Sequence, residues 1–287
     1  MRSIKELGTY AENTWCPGCG NFGILTAVKK ALVEAFEGGM KAEDVVMVSG
    51  IGCHAKIVDY VNVNSFYSLH GRVLPPATGI SLSNPELTVI CHAGDGDAYG
   101  EGIAHLIFTA KRNVDITLIV HDNRVYGLTT GQFTPTSPEG FKGRSTPKGS
   151  PERPINPLEL VLSAGATFVA RGYSGKIGHL KNLILEGVSH RGFSFIEVLQ
   201  PCYTFFNTYS FYNERVYELE EGEGGTSDRN LAVSLARKWS YDSVDASIPI
   251  GIFYKEQRPT FQERILGDRP LLKKKGQDVF GFIKEAV

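Results

Sequence analysis

From about Val45 onward, the chain alternates between short apolar runs and longer stretches with helical spacing. The runs at 45–49 (VVMVS), 87–93 (LTVICHA), 116–121 (ITLIVH), 166–170 (ATFVA) and 193–199 (FSFIEVL) are nearly continuous in apolar residues. Strands of a parallel sheet covered on both faces have that character, whereas half-exposed strands alternate apolar and polar positions. Between the runs, EGIAHLIFTAKRN sets Ile103, Leu106, Ile107 and Ala110 along one helical face. GKIGHLKNLILEGVSHRG does the same with Ile177, Leu180, Ile184 and Val188. The alternation predicts an α/β fold, a doubly wound and mostly parallel sheet that binds ligands beyond the carboxyl ends of its strands. Two regions break the rhythm. Residues 131–157 are rich in Pro, Gly, Ser and Thr, and a structureless loop this long is functional, partner-binding or disordered. From Tyr203 the chain turns aromatic and then shows no clear βα rhythm, with the acidic ELEEGEGG reading as a solvated loop. The expectation is one α/β domain over 1–209 and a C-terminal extension over 210–287, packed on that domain or on a partner subunit.

Composition narrows the function classes. A net charge of −1, with no basic stripe or RNP-like aromatic motif, argues against a nucleic-acid partner. No apolar run approaches the roughly 18 residues of a membrane span. The start, MRSIKELGTYAENTW, lacks the apolar region of a signal peptide. A cytoplasmic protein is therefore expected. Five cysteines, at 16, 19, 53, 91 and 202, are an odd count with one C-x-x-C pair, which reads as metal binding before disulfides.

The stretch GDGDAYGEG, 94–102, follows an apolar run and precedes a helix that should start near Glu101. Strand end meeting helix N-terminus is a natural anion site, yet Asp95 and Asp97 would repel a bare phosphate. A divalent cation between carboxylate and phosphate resolves the conflict, as Mg²⁺ commonly does. After 26 intervening residues comes Asn123, at the end of the ITLIVH run. A Gly-Asp-Gly turn, a helix, a strand and then Asn resembles the thiamine-diphosphate motif. That resemblance implies that Asp95, the Asn123 amide oxygen and the Val125 carbonyl bind Mg²⁺. The usual Asn-Asn pair reads Asp122-Asn123 here, which keeps the ligand Asn. Either half alone would be no more than a tight turn or a strand terminator. A second glycine cluster, GCGNFG at 18–23, fits G-x-G-x-x-G but has no preceding strand, so it is not a dinucleotide site.

Cys16 and Cys19 flank a Pro-Gly turn, Cys53 follows the 45–49 run and Cys202 follows the 193–199 run. All four could converge at one sheet edge on Zn²⁺ or an iron–sulfur cluster, and spacing does not choose between them. A site at Cys16 and Cys19 alone, or no site at all, also fits. Cys91 is mid-strand and reads as a core residue.

Taken together and in order, WCPGCGNFGI, SGIGCHAKI, LHGRVLPPATGI, GDGDAYGEG, HDNRVYGLTTGQ and VLQPC resemble the β subunit of 2-oxoacid:ferredoxin oxidoreductases over about residues 10–210. The resemblance implies a [4Fe–4S] cluster on Cys16, Cys19, Cys53 and Cys202. It places thiamine diphosphate and Mg²⁺ at Asp95, Asn123 and Val125, with Cys53, Gly94, Gly96, Asp97, Gly127 and Leu128 lining the cofactor site. Lys56 would pair with the substrate carboxylate, against the plainer reading of a surface lysine. His54 and His70 read as structural histidines that could also line the pocket. The implied activity is reversible, thiamine-dependent oxidative decarboxylation of a 2-oxoacid with coenzyme A, giving acyl-CoA and CO₂ and passing electrons through the cluster to ferredoxin. GDGDAYGEG and STPKGS look most like the 2-oxoglutarate enzymes or their broad-specificity relatives, with pyruvate and branched-chain acids open. The activating glutamate and the pyrimidine domain are expected on an α subunit, in an αβ or (αβ)₂ assembly. Segment 131–157 and the aromatic stretch after Cys202 are candidate contacts with it. The alternatives are a non-redox thiamine decarboxylase or synthase with structural zinc, and a non-catalytic subunit that binds a nucleotide and Mg²⁺.

Overall fold

The computed structural model describes residues 3–220 and 222–267, so 268–287 of the expected extension lie outside the described residues. The apolar runs become β1 (Val45–Ser49), β3 (Thr88–Gly94), β4 (Ile116–Asp122), β5 (Phe168–Tyr173) and β6 (Phe193–Leu199). Together with β2 (Asn64–Tyr67) they form a parallel sheet in the order β2-β1-β3-β4-β6-β5. Odd and even positions on each strand feed opposite cores, as the two-residue period requires. Val89, Cys91, Leu118, Val120, Phe193 and Phe195 pack under α2 (Leu74–Ser83), α3 (Ile103–Arg112) and α4 (Pro157–Ala164). Met47, Ile90, Ile119, Ile196 and Val198 pack under α1 (Asn21–Glu37) and α5 (Ile177–Ser189). Both faces are covered, so Cys91 is a buried core thiol.

Three strands were not foreseen. Every residue of β2 is exposed, so it carries no apolar run to read. The segment beyond Tyr203 does have sheet structure, which corrects the expectation of no rhythm there. In it, β7 (Val216–Glu218) and β8 (Ile248–Lys255) extend the same sheet, β8 antiparallel to β5 and β7 parallel to β8. A third core of Tyr173, Leu199, Tyr212, Trp239, Tyr241, Ile248 and Ile250 welds this segment to the carboxyl ends of β5 and β6. Among the described residues no helix is long and apolar enough to cross a membrane.

The strand order sets the site. After β1 the chain goes outward to β2 and returns on the other side as β3, and after β4 it skips a place to β5 before returning as β6. Each reversal opens a crevice beyond the carboxyl ends of the flanking strands.

Candidate active site

The β1/β3 crevice holds a cavity of about 270 Å³. Its wall brings together Cys53, Gly94, Asp95, Gly96, Asp97, Asn123, Val125, Gly127 and Leu128, from three separate strand ends. Asp95 is the first residue beyond β3 and is buried. Its Oδ2 accepts from Thr136 Oγ1 at 3.0 Å, and the same hydroxyl lies 2.8 Å from Asp122 Oδ1. Burial raises the Asp95 pKa, against the pull of the Thr134 and Thr136 hydroxyls, and raises that of Asp122 further, with Asp95 and Glu197 adding to it.

Beyond Asp95 the chain does not enter α3 directly. Residues Gly96–Glu101 form a wide π-helical turn closed by Gly102 N–H donating to Asp97 O at 2.9 Å, so the regular helix starts at Ile103 rather than near Glu101. Such turns often sit at functional sites. The Tyr126 ring packs so closely on this turn that a Cβ at Gly96 would lie 2.1 Å from it. Tyr126 OH donates to Gly96 O at 3.2 Å.

Asn123 follows β4 and turns the chain: its Oδ1 accepts the Val125 N–H at 3.0 Å, and Arg124 sits at φ 60°, a conformation rare outside glycine. The strain is held by a buried guanidinium that donates to Thr136 O at 2.7 Å and Tyr241 O at 2.6 Å.

Asp97 is committed to protein partners. His70 Nδ1 lies 3.0 Å from its Oδ1, which also accepts the Gly71 N–H, and His54 Nε2 lies 3.3 Å from its Oδ2. The His54 contact is close enough for an ion pair but out of line for a hydrogen bond. Burial would raise the Asp97 pKa, yet the two imidazoles and the Gly71 amide override it and hold the carboxyl below the usual range. Asp97 in turn raises the His70 pKa. Both histidines line the cavity. A Cβ at Gly50 would fall 1.7 Å from Asp97 Oδ2, so this carboxylate needs glycine at 50.

A second cavity of about 250 Å³ adjoins the first and shares Cys53, Asn123, Gly127 and Leu128 with it. Cys16, Cys19, Cys53 and Cys202 all line it, and none is in a disulfide. Local chemistry holds the four in place. Cys19 N–H closes the Pro-Gly turn on Cys16 O at 3.1 Å, with Gly18 at φ 79°. Trp15 Nε1 donates to Cys53 O at 2.6 Å. A Cβ at Gly127 would lie 3.5 Å from Cys53 Sγ and 3.8 Å from Cys202 Sγ. Burial raises the Cys19 thiol to about 12 and raises Cys53 as well, so a metal would have to displace their protons. Among the described residues no three His, Cys, Asp or Glu side chains are close enough to clasp one metal ion. Lys56 lines this cavity, with Nζ donating to Thr14 Oγ1 at 2.9 Å.

Known proteins match this architecture. Residues 50–198 match the thiamine pyrophosphate enzyme C-terminal TPP-binding domain, and 201–267 match the C-terminal region of the pyruvate ferredoxin oxidoreductase β subunit. The 2-oxoacid:ferredoxin oxidoreductase subunit beta of a Sulfolobus species is 43% identical over 273 residues, covering 90% of this chain and 87% of that one. The chain belongs to the 2-oxoacid:ferredoxin oxidoreductase β subunits. A 2-oxoglutarate synthase subunit KorB from Methanothermobacter thermautotrophicus is 39% identical, covering 88% of this chain and 85% of its own. The solved 2-oxoglutarate:ferredoxin oxidoreductase of Magnetococcus marinus superposes with a TM-score of 0.89 at 35% identity, over 100% of this chain and 96% of that one. It holds 2-oxoglutarate, coenzyme A and succinyl-CoA.

As a β subunit of this family, the chain is one part of an enzyme with an α partner, and its 50–198 domain is a thiamine-diphosphate-binding one. The residues fit that cofactor with a cation. Asp95 and Asp122 share one hydroxyl donor, and Asp122 Oδ2 is buried with no partner among the described residues, so a cation here would favour the ionised carboxylates and displace the protons that burial otherwise retains. Sequence reasoning missed Thr136, Arg124 and Tyr126 as parts of the site. Only the Pro- and Thr-rich character of 131–157 pointed towards Thr136.

Proposed function

We propose that this β subunit carries out oxidative decarboxylation of 2-oxoglutarate with coenzyme A, giving succinyl-CoA and CO₂, and delivers electrons through a [4Fe–4S] cluster to ferredoxin. The observation that carries the reading is the shared wall of the two cavities, Cys53, Asn123, Gly127 and Leu128. A redox centre on the four cysteines would sit directly beside the thiamine. Four cysteines arranged around one cavity, in a chain of a ferredoxin-linked oxidoreductase family, support an iron–sulfur cluster over one structural zinc.

Asp95, the Asn123 amide oxygen and the Val125 carbonyl would hold Mg²⁺ against the diphosphate, while Gly94 and Gly96 let backbone approach it. Thr136 holds the Asp95 carboxyl from behind. When bound, thiamine diphosphate supplies the carbanion stabilisation for decarboxylation, and the cluster accepts electrons one at a time. Asp97, kept anionic, fixes His54 and His70 at the cavity wall. Lys56 stands at the cysteine cavity, outside the wall of the thiamine cavity, and as a point charge would meet only a substrate carboxylate reaching across the wall that the two share. The KorB relatives and the 2-oxoglutarate in the Magnetococcus enzyme support that substrate. The α subunit would bring the pyrimidine domain and activating glutamate, in an αβ or (αβ)₂ enzyme of the cytoplasm.

The test is iron, sulfide and zinc content of the anaerobically purified enzyme, with an electron paramagnetic resonance spectrum after dithionite reduction. About four irons and four sulfides per β chain are expected. One zinc without sulfide would overturn the redox reading while leaving the Asp95–Asn123 site standing.

A further inference from the structure

Gln200, the first residue beyond β6, joins the cysteine cavity to the turn that carries Asn123 and is buried. Its backbone N–H donates to Asp122 O at 2.9 Å, next to Asn123. Its side-chain Nε2 donates to Pro201 O at 2.8 Å and stands 3.6 Å from Cys19 Sγ, within N–H···S reach. Chemistry fixes which way the amide faces. Pro201 O only accepts, so the group 2.8 Å from it must be the NH₂, and the second hydrogen of that NH₂ is left for the sulfur. Flipping the amide would set two carbonyl oxygens against each other. The orientation is kept although Gln200 Oε1 is then buried without a partner among the described residues, which carries a desolvation cost.

The turn is built to receive this side chain. A Cβ at Gly20 would lie 2.9 Å from Gln200 Cγ and 3.0 Å from Pro201 Cδ. Gly20 N–H also donates to Pro201 O, at 3.1 Å. The Cys16–Cys19 turn, Gln200 and Pro201 are thus tied through one carbonyl.

We propose that Gln200 tunes the reduction potential of the cluster through an N–H···S bond to Cys19. It is a positioning residue, and the inference rests on the cluster reading above. Reduction adds negative charge to the cluster and its sulfurs, and a donor aimed at a ligand sulfur stabilises that charge. Gln200 therefore raises the potential. Its backbone bond to Asp122 holds the donor in register with the cofactor turn.

The test is Gln200→Met, which keeps side-chain length and removes the donor, in the assembled enzyme purified anaerobically. Iron and sulfide content should match wild type. The midpoint potential, followed by electron paramagnetic resonance in a redox titration, should fall by a tenfold change in the reduction equilibrium, about 59 mV for one electron. An unchanged potential with a full cluster overturns the inference and leaves the cluster reading intact. A wild-type enzyme without a four-iron cluster overturns both. If Gln200→Met loses its cluster, the wild-type β subunit labelled with ¹⁵N in glutamine side chains decides. A nitrogen coupling to the reduced cluster in pulsed electron–nuclear spectroscopy sustains the inference, and its absence overturns it.

Discussion

At Thr136 a single hydroxyl proton faces two buried carboxyls, Asp95 and Asp122. It can be given to only one of them at a time, so the other lacks that donor. Burial holds the Asp95 pKa above its ordinary value of 3.8, against the pull of that hydroxyl. A carboxyl raised in the folded state lends stability below 3.8 that is lost as pH climbs through the raised value. With Asp95 as the proposed Mg²⁺ ligand, binding of Mg²⁺ and thiamine diphosphate would need the ionised form, so affinity should strengthen as pH rises from 3.8 towards neutrality, with protons released. Calorimetry in two buffers of different ionisation enthalpy would measure that release; none at mildly acidic pH would count against Asp95 as the ligand. Asp95→Ala should weaken cofactor binding by about 100-fold or more and abolish turnover, read by cofactor titration and activity in the assembled enzyme. Asp95 and Asn123 were legible in the sequence because each sits at the end of an apolar strand, where position follows from local pattern. Thr136 and Gln200 were not, since their partners lie 41 and 181 residues away and only the tertiary fold brings them together. The histidine pair on Asp97 was hidden for the same reason: the three residues come from three segments.

The turn Gly94–Gly102 is the element on which the proposed thiamine site depends. Its glycines are spaces already filled by neighbours, most tightly at Gly96, where the Tyr126 ring occupies the Cβ position. Gly96→Ala must push that ring or the π-helical turn outward. Overpacking of this kind costs about 1–3 kcal/mol. Thermal unfolding should show that loss, and the rise in melting temperature on adding Mg²⁺ and thiamine diphosphate should shrink. An unaltered cofactor-induced rise would mean that the turn accommodates the methyl without moving the site. Strands were readable where both faces are buried, as in β3, β4 and β6, because apolar residues dominate them and the polar ones, such as His92, Thr117 and Glu197, are few. The 166–170 run stopped short of β5, which continues through Arg171 and Gly172, a charged residue followed at once by a glycine. β8 carries Pro249 and Gly251, both of which argue against a strand interior in sequence.

Arg171 points to what holds the whole molecule together. Its guanidinium is fully buried against Glu197, Nε to Oε2 at 2.9 Å, and donates to Tyr241 OH at 2.9 Å. Tyr241 OH in turn donates to Glu197, and Trp239, stacked on Tyr241 at 4.1 Å, covers the guanidinium with its ring. Two charges from β5 and β6 are thus completed by residues of the segment beyond 209. The same segment reaches the Asn123–Val125 turn through Tyr241 O, which accepts from Arg124. Breaking a buried pair from one side costs about 3–5 kcal/mol because the remaining charge is left uncompensated. Domains hold roughly 5–15 kcal/mol in total. Arg171→Met should therefore lower stability by a large fraction of the whole. Ending the chain after residue 209 does more, removing Tyr241 and Trp239 and baring the β5 edge to other chains. The expected product is insoluble, or soluble without a cooperative melt. Circular dichroism melting and size-exclusion chromatography would check it. A monodisperse 1–209 fragment with a sharp transition and retained thiamine binding would show that the segment beyond it is an addition to a self-sufficient domain. The buried pair argues the opposite: a charge network closed by Tyr241 makes β7 and β8 part of the fold that positions Arg124 and Asn123.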